Sequence, residues 1–167
     1  MATLAQASPT DFEQRERRFF LGMAVAIAAI VLAGFGGYIL VGLSSFDAPW
    51  WVHLHAVTYM GWIVLYLNQN WLIVSGETAR HRQMGRIMAG WAVAMVVIGT
   101  ALLFASVAAQ RSPPPIFSAA MLFVMDEINV LLFAGLVAAG LALRRRSDWH
   151  RRLMLSATVC IIAPALG

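Results

Sequence analysis

Four long stretches without charged side chains decide what this chain can fold into. Three of them contain no Asp, Glu, Lys or Arg: Phe19–Phe46, Ala48–Gly76 and Ile87–Gln110. The fourth, Ser112–Leu143, is interrupted only by Asp126 and Glu127. Each stretch exceeds the roughly 20 residues that a helix needs to cross about 30 Å of hydrocarbon. The sequence therefore predicts several transmembrane helices.

A fifth apolar run, Leu153–Gly167, begins like the others but has only 15 residues. It is either a short final span or part of a longer one, and we expect the natural chain to continue past Gly167. Hydrophobic residues make up 60% of the 167 residues and charged residues 12%, which excludes a soluble globular enzyme of this size. We predict an all-α membrane helix bundle that follows a cytoplasmic N-terminal segment, residues 1–18. Its five spans are expected at residues 19–44, 52–76, 84–109, 116–143 and 152–167.

The basic residues indicate how the bundle is oriented. All twelve are Arg, and all but Arg111 lie in three segments, residues 15–18, 80–86 and 144–152. Because arginine-rich connections stay on the cytoplasmic side, the N-terminus is predicted to lie in the cytoplasm. The expected location of the protein is the inner membrane of a bacterium. The same pattern explains the net charge of +4 without nucleic acid, so the lipid bilayer is the expected partner.

One face of the second predicted span is polar. Its members recur at spacings of three and four residues: His55, Tyr59, Trp62, Tyr66 and Gln69. Since lipid offers no hydrogen bond to an imidazole, hydroxyl or amide, this face should point into the bundle. It can join helices through hydrogen bonds, or it can line a path for a cofactor, a quinone or a proton. The spacing alone does not choose between these two roles.

Two acidic side chains, Asp126 and Glu127, lie near the middle of the fourth span, with Asn129 about one turn from Asp126. An ionised carboxylate at the bilayer centre costs at least about 3 kcal/mol, which marks an intramembrane acid as a functional candidate. The two acids point about 100° apart on a helix, so they do not form an obvious pair. The alternatives are a tilted helix that brings them to an interface and a contact with another subunit.

Small residues predict where the helices approach one another most closely, because they let helix backbones meet in a membrane. We expect such crossings at Gly34, Gly36, Gly37, Gly99 and Gly135.

Histidines open three of the predicted spans. His53 and His55 begin the second span on the outer side, whereas His81 and His150 begin the third and fifth spans on the cytoplasmic side. Imidazole is a common axial ligand of haem iron, so two histidines at one depth predict a haem site if their spans are neighbours. Each histidine alone is equally typical of an interface anchor beside arginines.

The surroundings of the cytoplasmic pair suit a haem. Gly85 follows His81 by one turn and would let a flat macrocycle approach the backbone. The propionate groups could pair with guanidinium groups nearby, which belong to Arg82, Arg86, Arg151 and Arg152. The same arginines also satisfy the rule on membrane orientation without any haem.

Three parts of the sequence resemble a family of predicted bacterial membrane proteins of unknown function. They are His55, the segment His81–Arg86 (HRQMGR) and the segment Trp149–Met154 (WHRRLM). The family pattern is a histidine that opens a span, a glutamine late in that span, an HR-x-x-GR-like turn and a final HR-x-x-M-like turn. It matches residues 53–167 of this sequence at His55, Gln69, His81, Arg82, Gly85, Arg86, His150, Arg151 and Met154. The resemblance implies a topology and a choice of residues, but no reaction.

A looser similarity is to the ascorbate-reducible transmembrane cytochromes b. Their four-helix core holds one haem between its first and third helices and another between its second and fourth. With spans two to five as that core, His81 and His150 match the cytoplasmic pair, which implies haem b and electron transport. His55 matches one outer ligand, but the fourth span contains no histidine to match the other.

Three classes of function remain. The first is a membrane redox protein with a haem b or quinone site on the cytoplasmic side. The second is a proton-linked transporter or relay that uses Asp126 and Glu127. The third is a non-catalytic subunit or assembly factor that meets a protein partner in a membrane complex.

Overall fold

A computed structural model of the chain describes residues 9–42, 46–109 and 118–163. These residues form five α-helices and no β-strand, which confirms the all-α prediction for the described ranges. The helices are α1 (Pro9–Leu40), α2 (Trp50–Val74), α3 (Thr78–Ala108), α4 (Ala119–Ala142) and α5 (Ser147–Cys160).

Helices α1, α3 and α5 begin earlier than the predicted spans. They start at residues 9, 78 and 147 rather than at 19, 84 and 152, because Glu, Gln and Arg are good helix formers and continue the helix beyond the apolar run. The N-terminal segment is therefore helical from Pro9 onwards, in one piece with the first apolar run. Residues 43–44, 116–117 and 164–167 of the predicted spans, and Arg111, lie outside the described ranges.

The two motifs predicted as turns are helical, which corrects the sequence analysis. His81–Arg86 lies in the first turns of α3, and Trp149–Met154 lies near the start of α5. The chain reverses before each motif instead. Between α2 and α3 the reversal uses Gly76, whose φ of +79° is a conformation that residues with a side chain rarely adopt. The helical placement puts His81 and Gly85 one turn apart on the same side of α3.

The five helices form a closed bundle. Each helix packs against the next one along the chain, and α5 also contacts α1. Since successive helices run in alternate directions, the first turns of α1, α3 and α5 lie at one end of the bundle. This end carries the Arg segments 15–18, 80–86 and 144–152, and is called the arginine-rich end below.

The centre of the bundle is filled by large side chains from four helices. Trp62 of α2, Met95 of α3, Phe133 of α4 and Thr158 of α5 are each 0–1% exposed. The Trp62 and Phe133 rings meet edge to face at 4.9 Å, and the Trp62 indole N–H donates to the Thr158 hydroxyl at 3.2 Å. In a lipid environment such packing and hydrogen bonding, rather than the hydrophobic effect, hold helices together.

The outer surface of the bundle is apolar. Three helices are long and apolar enough to cross a bilayer, namely Asp11–Leu40, Thr78–Ala108 and Ala119–Ala142. Large aliphatic side chains on the outer faces, such as Leu32, Val93 and Leu131, are 59–68% exposed. Contact with lipid tails accounts for such exposure, which would be unfavourable in water. Helix α2 has 25 residues, the length of a span, but it is not among these three.

Close helix crossings occur at fewer of the predicted glycines than expected. A Cβ atom at Gly99 would collide with the Tyr59 hydroxyl and lie 3.3 Å from Val130, so this residue is a true crossing. At Gly36, Gly37 and Gly135 a Cβ would meet no atom of the described chain within 4 Å, and these predictions are wrong. Two crossings were missed, at Gly61 against Trp91 and at Gly140 against Met154.

Candidate functional site

The structure brings His81 and His150 together at the arginine-rich end. The two residues lie in the first turns of α3 and α5, which start at the same end because both helices run in the same direction. Their ring centroids are 6.4 Å apart, and the ring planes are nearly perpendicular at 86°. Both side chains are half-buried. Two imidazoles thus face each other across a short gap within the bundle.

The ring of His150 is held by the end of α4. Its Nδ1 lies 2.8 Å from the carbonyl oxygen of Gly140, which can only accept a hydrogen bond. The proton of the neutral ring is therefore on Nδ1, and Nε2 carries the lone pair. Gly140 also lets α5 lie close to α4, because Met154 packs within 3.1 Å of the position that a Cβ of Gly140 would occupy.

The ring of His81 is held by Gln69 near the end of α2. Its Nδ1 lies 3.4 Å from the main-chain carbonyl oxygen of Gln69. In the orientation that satisfies its hydrogen bonds, the Gln69 side-chain nitrogen donates to the His81 carbonyl at 3.2 Å and also contacts Nδ1, while its oxygen accepts from the Gly85 N–H at 3.0 Å. The His81 Nδ1 thus has both a hydrogen-bond acceptor and a donor beside it. The carbonyl favours a proton on Nδ1 and the amide nitrogen favours a lone pair there, so the two contacts favour opposite tautomers of His81.

The glutamine, the histidines and the glycine of the predicted motif therefore meet at one place. Gln69 is 5% exposed although it carries a full amide group, and its amide spans the first turn of α3 between His81 and Gly85. A Cβ at Gly85 would have no atom of the described chain within 4 Å. Gly85 is therefore not a helix crossing, and it leaves space on the face of α3 that carries His81.

The four arginines predicted for this site differ in their surroundings, and Arg152 is exposed and lies 3.9 Å from Glu16. Arg151 is bound to carboxylates of the protein, since it pairs with Glu16 of α1 at 2.5 Å and with Asp148, and its guanidinium lies 5.5 Å from the centre of the Phe20 ring. Arg82 and Arg86 are exposed at the same end. The ion pair to α1 was missed because no local pattern connects Glu16 with a residue so far along the chain.

The histidine pair supplies two ligands and no more. Among the described residues, no group of three or more His, Cys, Asp and Glu side chains is placed to hold a metal ion. A bare transition-metal ion in a protein takes three or four side-chain ligands. Two facing imidazoles suit a group that brings its remaining ligands with it.

His55 lies at the opposite end of the bundle, far from the His81–His150 pair. On the 1.5 Å rise of a helix, the 14 residues from His55 to Gln69 separate the two ends by about 21 Å. His55 stacks on Tyr59 with ring centroids 4.0 Å apart, and its buried Nδ1 has no hydrogen-bond partner among the described residues. Both rings line a cavity of 520 Å³, to which α4 contributes Asp126 and Asn129.

The two acids of α4 point into different surroundings. Asp126 lines the cavity, whereas Glu127 accepts a hydrogen bond of 3.2 Å from the Thr100 hydroxyl of α3. The second carboxylate oxygen of Glu127 is buried, and no described residue bonds to it. This divergence follows from the 100° step between neighbours on a helix.

The polar face of α2 points into the bundle, and much of it joins helices. Tyr59 donates to the Met95 carbonyl of α3 at 3.3 Å, and Trp62 bonds to Thr158 of α5. Tyr66 is only 4% exposed. The structural role thus accounts for Tyr59 and Trp62, while the two ends of the face, His55 and Gln69, lie at the cavity and at the histidine pair.

Comparison with known proteins adds no assignment to this geometry. No protein-family model, no curated protein and no solved structure matches the chain.

Proposed function

We propose that the chain is an integral protein of a bacterial cytoplasmic membrane, with the arginine-rich end in the cytoplasm. Three helices meet the length and hydropathy of a span, and the alternate directions of the five collect the arginine segments at one end. Such asymmetry of Arg is the main determinant of orientation.

Cysteine accessibility tests this orientation. In a Cys160→Ser background, Ser75→Cys and Ala109→Cys place single thiols at exposed positions on opposite ends of the bundle. We expect an impermeant maleimide added to intact cells to label Ala109→Cys, and Ser75→Cys only after the membrane is opened. The reverse pattern would contradict the orientation.

We further propose that the arginine-rich end binds haem b through His81 and His150, as a membrane redox protein. The observation that carries this proposal is the 6.4 Å separation of their ring centroids. Two imidazoles bound on opposite sides of one metal, each about 2 Å from it, have ring centres about 6 Å apart. This separation would allow His81 and His150 to hold one iron between them.

The rest of the site supports the same group. A porphyrin supplies four of the six iron ligands, so two histidines complete the set. The space beside Gly85 adjoins the first turn of α3, where a flat macrocycle would need room. Arg82 and Arg86 supply exposed positive charge at this end, where propionate groups would meet the headgroup region.

Neighbouring residues would orient the two histidine rings through hydrogen bonds. The carbonyl of Gly140 accepts from Nδ1 of His150 and leaves the Nε2 lone pair of that ring available, and the main-chain carbonyl and side-chain amide of Gln69 hold the ring of His81. When bound, haem b would supply one-electron redox chemistry. The contribution of this chain is to fix the two imidazoles at the required spacing and to surround them with helices that exclude bulk water.

Optical difference spectroscopy of the purified protein tests the assignment. After expression with ample haem, we expect a sharp reduced-minus-oxidised haem b band that is lost in His81→Ala and in His150→Ala. His53→Ala is the matched control, because His53 lies at the other end and bonds to the Phe46 carbonyl. A wild-type protein without the band, or a band that both variants keep, would contradict the proposal.

A second candidate, proton-linked transport, rests on Glu127. A buried carboxylate oxygen without a partner among the described residues is typical of a proton-carrying site in a membrane. Proton-coupled flux in vesicles that is abolished by Glu127→Gln, and kept in Glu13→Gln at the exposed start of α1, would support this function instead.

A further inference from the structure

The end of the bundle opposite the arginine-rich end contains a cavity that the haem proposal does not use. It has a volume of 520 Å³ and is bounded by all five helices and the residues that precede α2. Small-molecule sites in proteins have volumes of about 300–1,000 Å³ and are mainly apolar, with a few polar groups that orient the ligand. This cavity has both properties, since its lining is mainly aliphatic and aromatic.

The polar groups of the cavity come from two helices. His55 and Tyr59 lie one turn apart on α2, and Asp126 and Asn129 lie one turn apart on α4. The stacked rings of His55 and Tyr59 form one flat wall. The imidazole of His55 adds a polar group to the lining, and its buried Nδ1 has no hydrogen-bond partner among the described residues. A ligand with polar groups on two opposite edges would contact both helices at once.

The lining also limits the charge of the ligand. The carboxyl group of Asp126 disfavours an anion, and the apolar walls disfavour a strongly hydrated cation. A neutral, flat ring with a carbonyl or hydroxyl group on each of two opposite edges and an apolar tail meets these conditions. We propose that this cavity binds a membrane quinone or its quinol, with the head group between His55 and Asp126. The proposal concerns binding alone and is independent of haem at His81 and His150.

The single cysteine of the chain allows a direct test, because Cys160 lines the cavity. The whole protein in lipid nanodiscs is treated with a membrane-permeant maleimide, and the modification of Cys160 is measured by mass spectrometry. We expect decylubiquinone to protect Cys160 in a saturable manner. Decane and decanol test the apolar tail and a single hydroxyl group, and equal protection by either one would overturn the proposal.

Variants identify the polar contacts. His55→Phe keeps a flat ring against Tyr59 but removes the imidazole, and we expect it to weaken protection about tenfold, the effect of one lost hydrogen bond of about 1.4 kcal/mol. In His81→Ala, at the other end of the bundle, decylubiquinone should protect Cys160 as well as it does in wild type. This control separates the quinone result from any failure of the haem proposal. Equal protection in His55→Phe and wild type would contradict the placement of the head group.

A second measurement is used if Cys160 reacts with the maleimide too slowly to report on binding. Decylubiquinone is then titrated into nanodiscs that contain the protein, and its partition into empty nanodiscs is measured and subtracted. Saturable binding that His55→Phe weakens supports the proposal. Uptake equal to that of empty nanodiscs overturns it.

Discussion

Arg151 of α5 and Glu16 of α1 form an ion pair of 2.5 Å that ties the last described helix to the first. Their side chains are only 23% and 20% exposed, and the Phe20 ring lies against the guanidinium. A pair sheltered in this way is screened less than an exposed one, and the loss of Glu16 leaves Arg151 only its more exposed partner Asp148. The pair therefore holds the ring of five helices closed beside the histidine site.

Removing this pair should destabilise the bundle. We expect Glu16→Gln to lower the free energy of unfolding by about 1–3 kcal/mol, because Arg151 keeps its charge but loses a sheltered partner. The measurement is chemical unfolding in detergent, followed by tryptophan fluorescence. Glu13→Gln is the control, since Glu13 pairs with Arg17 at an exposed position on the same helix, and such pairs contribute less than about 1 kcal/mol. Equal losses in the two variants would contradict the role of Arg151.

A methyl group at Gly99 should weaken the contact between α2 and α3. In Gly99→Ala the new Cβ displaces the Tyr59 hydroxyl, which then loses its bond to the Met95 carbonyl. We expect a loss of about 1–3 kcal/mol by the same unfolding measurement. Gly135→Ala has no neighbour to displace among the described residues and should be neutral or slightly stabilising, because Ala favours a helix more than Gly does.

Removal of the Trp62–Thr158 hydrogen bond at the centre of the bundle should lower the free energy of unfolding by a similar amount. Thr158→Val keeps the shape of the side chain but leaves the buried Trp62 N–H without its acceptor, and we expect a loss of about 1–3 kcal/mol. The Trp62 fluorescence should also change, since the indole loses its polar partner. Ser156→Ala, at an exposed position on the same helix, is the control. A Thr158→Val protein as stable as wild type would show that the bond contributes little.

The double contact of Gln69 with His81 leads to a more specific expectation. Gln69→Met removes the amide but keeps the main-chain carbonyl, so the His81 Nδ1 then has only an acceptor beside it. We expect stability to fall by about 1 kcal/mol while haem retention does not decrease, because this tautomer leaves Nε2 free to ligate. Asn70→Ala, which loses only a bond within α2, is the control. Loss of haem from a folded Gln69→Met protein would contradict the assignment of the carbonyl as the orienting group.

The sequence predicted those parts of the structure that follow from a single helix. The spacing of His55, Trp62 and Gln69 determined which side of α2 faces inward, because helical geometry alone places them on one side. The inward face is observed for Trp62 and Gln69, which are 0% and 5% exposed.

Features that need two helices were harder to predict. Nothing in the pattern around Trp62 indicates Thr158 as its partner, because the bond depends on how α2 and α5 pack. Gly135 was predicted to be a helix crossing only because it is a small residue, but it lies on an exposed face of α4. The cavity beside His55 is likewise formed by several helices together.

Electron paramagnetic resonance of the oxidised protein tests most directly whether His81 and His150 share one haem iron. If both imidazoles ligate the iron, the oxidised protein would give a low-spin ferric signal. We expect wild type and His53→Ala to show this signal, and His81→Ala and His150→Ala each to convert it to another spin state or lose it with the haem. A haem-loaded wild type with a high-spin signal, or a low-spin signal that His150→Ala leaves unchanged, would contradict the account.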